Sequence, residues 1–244
     1  MGKIKSLLGM KKNSIIYDRY SIYLQKNAER IKKLHNIHSG QRCFLIGTGP
    51  SLNKTPLHLI KDEYTMGQNM LYKYPFQTTY YSIAGYKILQ KHIDELLNLN
   101  TEMFFSCSAG RWYLRNILHN KQGKIHPYVL KDYGEIQNWN NISLDISKYV
   151  RGGLAVSFVS LQILLYLGFK RIYLVGFDCN YNKPSGQYFY SKHQEQYDRD
   201  WSTIFSNYQI IKDIFEKHNC KIYNATPNSN LKIFATINLE DVVS

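Results

Sequence analysis

Cys43-Phe44-Leu45-Ile46 is a short apolar run that passes straight into Gly47-Thr48-Gly49-Pro50-Ser51-Leu52. Glycines at 47 and 49 permit a tight turn and a close ligand approach. Pro50 suits the first turn of a helix, where its missing N–H has no partner to lose. A strand, a turn and a helix start in that order aim unpaired backbone N–H groups above the strand end, an arrangement that suits a phosphate. Leu52 stands where a dinucleotide fingerprint would have its third glycine, so the motif is not that fingerprint. A purely structural corner is the other reading of the same residues.

Two side chains are candidates for proton chemistry. Asp178 follows the apolar run Lys170 to Val175. It could orient a hydroxyl, act as a base, or cap the turn that follows. His193 sits in the polar-aromatic stretch Tyr188-Phe189-Tyr190-Ser191-Lys192-His193. Its pKa near the working pH suits a base that takes a hydroxyl proton, and a surface histidine without a role is the alternative. Asp198-Arg199-Asp200 has the form of a carboxylate pair that holds Mn²⁺ or Mg²⁺, but such pairs end hydrophobic strands. This one follows the polar run from Lys192 to Tyr197, and acids placed at a helix N-terminus explain it better. No His/Cys cluster has zinc spacing, so no metal cofactor is expected.

The chain of 244 residues carries a net charge of +13, which implies an anionic partner. Residues 1 to 42 hold ten Lys and Arg against Asp18 and Glu29. Basic residues near Leu7, Leu8, Ile15 and Ile16 could lie on an anionic membrane surface, each adding about 1 kcal/mol. A solvated helix packed on the domain is the alternative. No RNP, KH or helix-turn-helix pattern supports nucleic acid as the partner. The 21 tyrosines suit hydroxyl-rich ligands, although AT-rich codon usage produces the same excess. No run of 18 apolar residues is present to span a membrane. Ser6 to Met10 is too short for a signal-peptide core. Cys43, Cys107, Cys179 and Cys220 form no CxxC pair, which fits a reduced, cytoplasmic chain.

These residues need elements to position them. The pattern predicts a basic helical extension over 1–39 and a single nucleotide-binding catalytic domain over 40–244. Strands are expected at Arg42–Ile46, Tyr64–Gly67, Thr78–Ile83, Glu102–Ser106, Lys170–Val175 and Cys220–Asn224. Helices are expected at Pro50–Ile60, Tyr86–Leu99, Leu154–Leu167 and Ser202–His218. Arg151-Gly152-Gly153 opens the third of these, which is apolar nearly all round and must be covered on several sides. Residues 109–149 show no clean periodicity and suggest a lid or acceptor-binding subregion. Strands alternating with helices indicate an α/β, mostly parallel sheet with helices on both faces. Ligands bind such sheets beyond the carboxyl ends of the strands, where Gly47–Ser51, Asn69 and Asp178 all fall.

Residues 42–53, Asn69, residues 150–178 and residues 220–234 together resemble a known group. It joins bacterial CMP-sialic acid sialyltransferases of the lipooligosaccharide type with the MptE-like domain of surface-polysaccharide and flagellin-glycosylation clusters. The resemblance rests on the Gly-Pro-Ser-Leu turn, on Leu167-Gly168-Phe169-Lys170-Arg171-Ile172-Tyr173-Leu174-Val175-Gly176-Phe177-Asp178, and on the late Pro227-Asn228-Ser229. It implies a Rossmann-like glycosyltransferase that builds a bacterial surface glycan by inverting, metal-independent transfer. The donor would be a nucleotide sugar, a CMP-nonulosonate such as CMP-sialic acid or CMP-Kdo, and the acceptor a glycan or glycolipid. By position, Gly47, Thr48, Gly49, Pro50 and Ser51 would lie under the nucleotide and Asn69 would hydrogen-bond it. Gly152 and Gly153, beside Arg151, would offer further donors, and Tyr181 and Tyr188 would bind the leaving phosphate. Thr48 and Arg151 depart from the family's asparagine and small polar residue. Trp201-Ser202 stands where the family's histidine base would fall, which leaves His193 as the substitute. The MptE-type alternative is a 6-hydroxymethylpterin pyrophosphokinase using ATP and Mg²⁺, and a non-catalytic nucleotide-binding assembly subunit is the third reading.

Overall fold

Alternation of side chains along eight strands decides the architecture. The computed structural model describes residues 15–107, 124–131, 142–180, 188–190 and 201–243. Helix α1 (Ile15–Lys32) leads to β1 (Arg42–Ile46), β2 (Thr65–Gln68) and β3 (Tyr80–Ile83). Short helices α2 (Tyr86–Lys91) and α3 (Ile93–Leu97) precede β4 (Glu102–Ser106) and β5 (Ile125–Tyr128). Two-residue strands β6 (Leu130–Lys131) and β7 (Val150–Arg151) pair with each other. Then come α4 (Val156–Leu167), β8 (Arg171–Val175), α5 (Trp201–Lys217), β9 (Lys221–Asn224), β10 (Ala235–Thr236) and α6 (Leu239–Val243).

Among the described residues the main sheet has eight strands in the order β10-β9-β8-β1-β2-β3-β4-β5, every adjacent pair parallel. Parallel strands buried on both faces read as continuous apolar runs, and β1 and β8 are such strands. Cys43, Leu45, Met66, Phe104, Ile172 and Leu174 face one core with α4, α5 and Ile31 of α1. Phe44, Ile46, Tyr81, Phe105, Tyr173 and Val175 face the other with α2, α3, α6 and the segment after β1. The result is the expected α/β, Rossmann-like sheet with helices on both faces.

Several boundaries differ from the sequence expectation, each for a local reason. Residues 50–60 form two 3-10 turns, Pro50–Lys54 and Leu57–Ile60, because Pro56 interrupts the run. The helix expected over Tyr86–Leu99 breaks at His92, whose ring nitrogen meets the Tyr72 hydroxyl at 2.8 Å. The span 109–149 contributes strand β5 to the sheet; residues 108–123 and 132–141 lie outside the described residues, and with them the test of a lid. So do residues 1–14 of the basic extension. The described part of that extension packs on the sheet: Ile31 is buried in the core, and Asn27 donates to the Pro127 carbonyl of β5. No helix among the described residues is long and apolar enough to cross a membrane.

Candidate functional site

In the sheet order, the chain runs outward from β1 through β2 to β5 and then returns to β1's other edge as β8. The loops after β1 and β8 therefore diverge, and a crevice opens at such a switch point. A cavity of ≈ 130 Å³ lies there. Its floor is Gly47 to Pro50 and Gly176 to Asn180, one wall is Gln68 and Asn69, and the other is Ala155 to Ser157 with Tyr208; Tyr188 stands at the rim.

The floor is built from backbone. Gly47 N–H donates to the Val175 carbonyl at 2.7 Å and Gly49 N–H to the Gly176 carbonyl at 2.9 Å. A Cβ at Gly47 would stand 2.5 Å from the Gly176 oxygen, and one at Gly49 only 1.9 Å from Asp178 Oδ2. The glycines are needed for this close approach, since Gly49 has an ordinary φ of −68°. Most donors of the turn are thus engaged within the protein. Thr48 N–H is the exception among the described residues, and Pro50 has none to offer.

Asp178 caps the same turn. Its Oδ1 accepts from Ser51 N–H at 3.0 Å and its Oδ2 from the Ser51 hydroxyl at 2.7 Å. Of the three roles open to it in the sequence, the geometry displays the cap. Ser51 consequently faces Asp178 and does not line the cavity. The late Pro-Asn-Ser motif supports the same loop: Ser229 Oγ donates to the Phe177 carbonyl at 2.6 Å, and Asn230 N–H donates to that of Asp178.

Helix α4 supplies the free donors. Its N-cap, Ala155, makes no side-chain capping bond, and the N–H groups of Val156 and Ser157 meet no protein acceptor among the described residues. Such an N-terminus favours negative charge. Gly152 and Gly153, the expected donors, lie behind this turn and do not line the cavity. Gly152 N–H is bonded to the Lys131 carbonyl. Gly153 is glycine for packing, because a Cβ there would touch the Phe158 ring at 2.5 Å. Arg151 is held from its backbone, its N–H donating to Gln162 Oε1 and its carbonyl accepting from Gln162 Nε2. It too is outside the lining.

The walls bring in groups that the sequence did not single out. Gln68 is buried and lines the cavity beside Asn69. Consecutive strand residues normally face opposite sides. Here Asn69 has φ +49° and turns back, so both side chains reach one cavity, and its Oδ1 is buried without a hydrogen-bond partner. Tyr208 of α5 pairs its hydroxyl with Ser157 Oγ at 2.6 Å. Leu154 and Cys179 also hold positive φ, +67° and +52°, beside the same cleft. Backbone strain of this kind costs on the order of 1–3 kcal/mol per residue and gathers at functional sites. At the rim, Phe189 N–H donates to the Thr48 carbonyl at 2.9 Å and Tyr188 stacks on Tyr190 at 5.2 Å.

No model of a known protein family matches the chain, and no curated protein matches it. The site therefore rests on its own geometry. Of the residues expected there, the structure gathers Gly47, Thr48, Gly49, Pro50, Asn69, Asp178 and Tyr188. His193, Tyr181 and the acidic pair at 198 and 200 lie outside the described residues. What assembles is a donor-rich cleft, with amides, hydroxyls and a helix N-terminus, suited to an oxyanion. Among the described residues no group of three or more His, Cys, Asp or Glu converges to hold a metal.

Proposed function

We propose that the chain is a glycosyltransferase that takes a nucleotide-activated sugar, foremost a CMP-linked nonulosonate or Kdo, and passes it with inversion to a glycan or glycolipid hydroxyl. The observation that carries this reading is the uncapped first turn of α4 facing the glycine turn of β1 across the switch-point cleft. Fixed donors aimed at a departing phosphate stabilise charge as it develops, and such electrostatic stabilisation commonly contributes more than any other effect to a step of this kind. A pyrophosphokinase instead needs carboxylates to clamp Mg²⁺ on a triphosphate. The one carboxylate among the described lining residues, Asp178, is engaged through both oxygens by Ser51.

That engagement gives a second reading its footing: a nucleotide-binding subunit without transfer activity, since no uncommitted base is placed among the described lining residues. Transfer requires a base, and we assign that role to His193. A thermal-shift series with CMP, CDP, UDP, GDP, NAD and ATP, each with and without Mg²⁺, tests the donor. At 100 times its Kd a ligand adds about 2.7 kcal/mol of stability. A response to CMP without Mg²⁺ is expected, and a response confined to ATP with Mg²⁺ overturns the donor assignment. In a CMP-sugar turnover assay, His193→Ala is expected to abolish transfer while CMP binding persists. Unaltered turnover removes His193 as base, and binding without turnover by the wild-type chain over a broad acceptor panel favours the subunit.

A further inference from the structure

Gln68 closes β2 with 5% of its surface exposed, and that exposure faces the cleft. Its amide is held from behind. Ser160 Oγ on α4 donates to Gln68 Oε1 at 3.2 Å and is itself paired with Ser82 Oγ of β3 at 2.6 Å. Both serines are fully buried. This relay of hydroxyls draws the carbonyl end of the amide into the protein. The other end, Nε2, meets no protein acceptor among the described residues and is left toward the cavity. A side-chain N–H that opens on a cavity without a protein acceptor is completed there by water or by a ligand.

The same relay sets where Nε2 opens. Ser160 Oγ also lies 3.1 Å from the Val156 carbonyl, and Gln68 lines the same cavity as Val156 and Ser157. Three donors then open on the same cavity from its two walls: Gln68 Nε2–H on one, the N–H groups of Val156 and Ser157 on the other. Donors gathered at a helix N-terminus favour an anionic acceptor.

We propose that Gln68 reads an oxyanion oxygen of the bound ligand, donating Nε2–H to it beside Val156 and Ser157, with Ser160 and Ser82 as positioning residues. A nucleotide phosphate and a sugar-acid carboxylate share this chemistry. The inference rests on the donor-sugar reading only for which of the two arrives.

The test uses the full-length ¹⁵N-labelled protein, with the Gln68 side-chain NH₂ signals assigned by their loss in Gln68→Met. Inorganic phosphate, cytidine, CMP and CMP-N-acetylneuraminate are titrated in turn. Phosphate is expected to move the Gln68 signals and cytidine to leave them in place. Gln68→Met is expected to weaken oxyanion binding about tenfold. Gln68→Glu is expected to weaken it further, because it faces the ligand with a like charge. Ser160→Ala weakens binding in the wild-type background and has no added effect on Gln68→Met, a coupling that a merely structural serine would not show. Movement complete with CMP assigns the phosphate, and movement seen only with CMP-N-acetylneuraminate assigns the carboxylate. Gln68 signals that stay in place while a ligand saturates the protein overturn the inference, as does Gln68→Glu binding as tightly as wild type. Phosphate moving Gln68 while no nucleotide binds overturns the donor-sugar reading alone, and no response to any anion overturns both.

Discussion

Ser51 presents both a backbone N–H and a hydroxyl to Asp178, and this pairing fixes what the loss of either partner does. Asp178→Ala leaves two donors without an acceptor and is expected to lower stability by about 1–2 kcal/mol, as the loss of a cap does. Urea unfolding measures it; unchanged stability with lost turnover would return Asp178 to the role of base. Gly49→Val drives a side chain into Asp178 and the Gly176 carbonyl, and overpacking of this kind costs about 1–3 kcal/mol. CMP binding is expected to vanish with it, and intact binding would make the turn scaffold alone. Farther from the cleft, His38 is buried under Phe169 and Tyr64, with Nδ1 against Gln41 and Nε2 against the Tyr80 hydroxyl. Burial holds its pKa below the ordinary 6.5, the Gln41 bond and the Glu102 charge opposing more weakly. Protons therefore bind the unfolded chain first, so this contribution to stability is intact above pH about 6.5 and is lost as the pH falls toward the folded value. His38→Phe is expected to flatten that acid limb of the stability profile, and an identical limb in the variant would exclude His38 as its source. At this scale the sequence exposed the glycine turn and Asp178, because turn chemistry is local, while Asn69 came from the resemblance. Gln68 and Tyr208 stayed hidden: one is the last residue of a strand and the other one more aromatic on a helix that needs a core face.

Among the elements, α1 matters most for what it covers. Among the described residues strand β5 ends the sheet, and an open edge is a template for pairing with another chain. Asn27 donates to the Pro127 carbonyl and Arg30 to that of Ile125, so α1 occupies acceptors that the edge would otherwise present. Removal of residues 1–32 is expected to turn a well-behaved chain into concentration-dependent aggregates, read by light scattering after gel filtration. A monodisperse, equally stable truncation would show that the helix is dispensable. Strand β5 was not legible beforehand because His126 and Pro127 break its apolar pattern, and an edge strand tolerates proline where a central one does not. The segment after β1 had the apolar spacing of a helix, but Pro56 divided it into two short turns. By contrast α4 was readable almost to the residue: its apolar run has one buried destination, and Gly168, at φ +97°, ends it.

For the whole molecule, alternating strands and helices announced the α/β class, and a cleft at the strand ends followed from that class. Strand order did not follow, because β1 pairs with β8 across a separation that no local pattern encodes, Arg42 opposite Arg171 and Ile46 opposite Val175. This pairing bears on how the chain is made. A ribosome adding about 5–20 residues per second delivers β1 early and β8 on the order of ten seconds later. Strands β2 to β5 emerge in the order in which they stack and can assemble on one side of β1 as they appear. The other side of β1 waits bare until Val175 is clear of the exit tunnel. Nascent chains stalled just after Gly168 should therefore be held by chaperones and cut readily by protease, and those stalled well past Asn224 should resist.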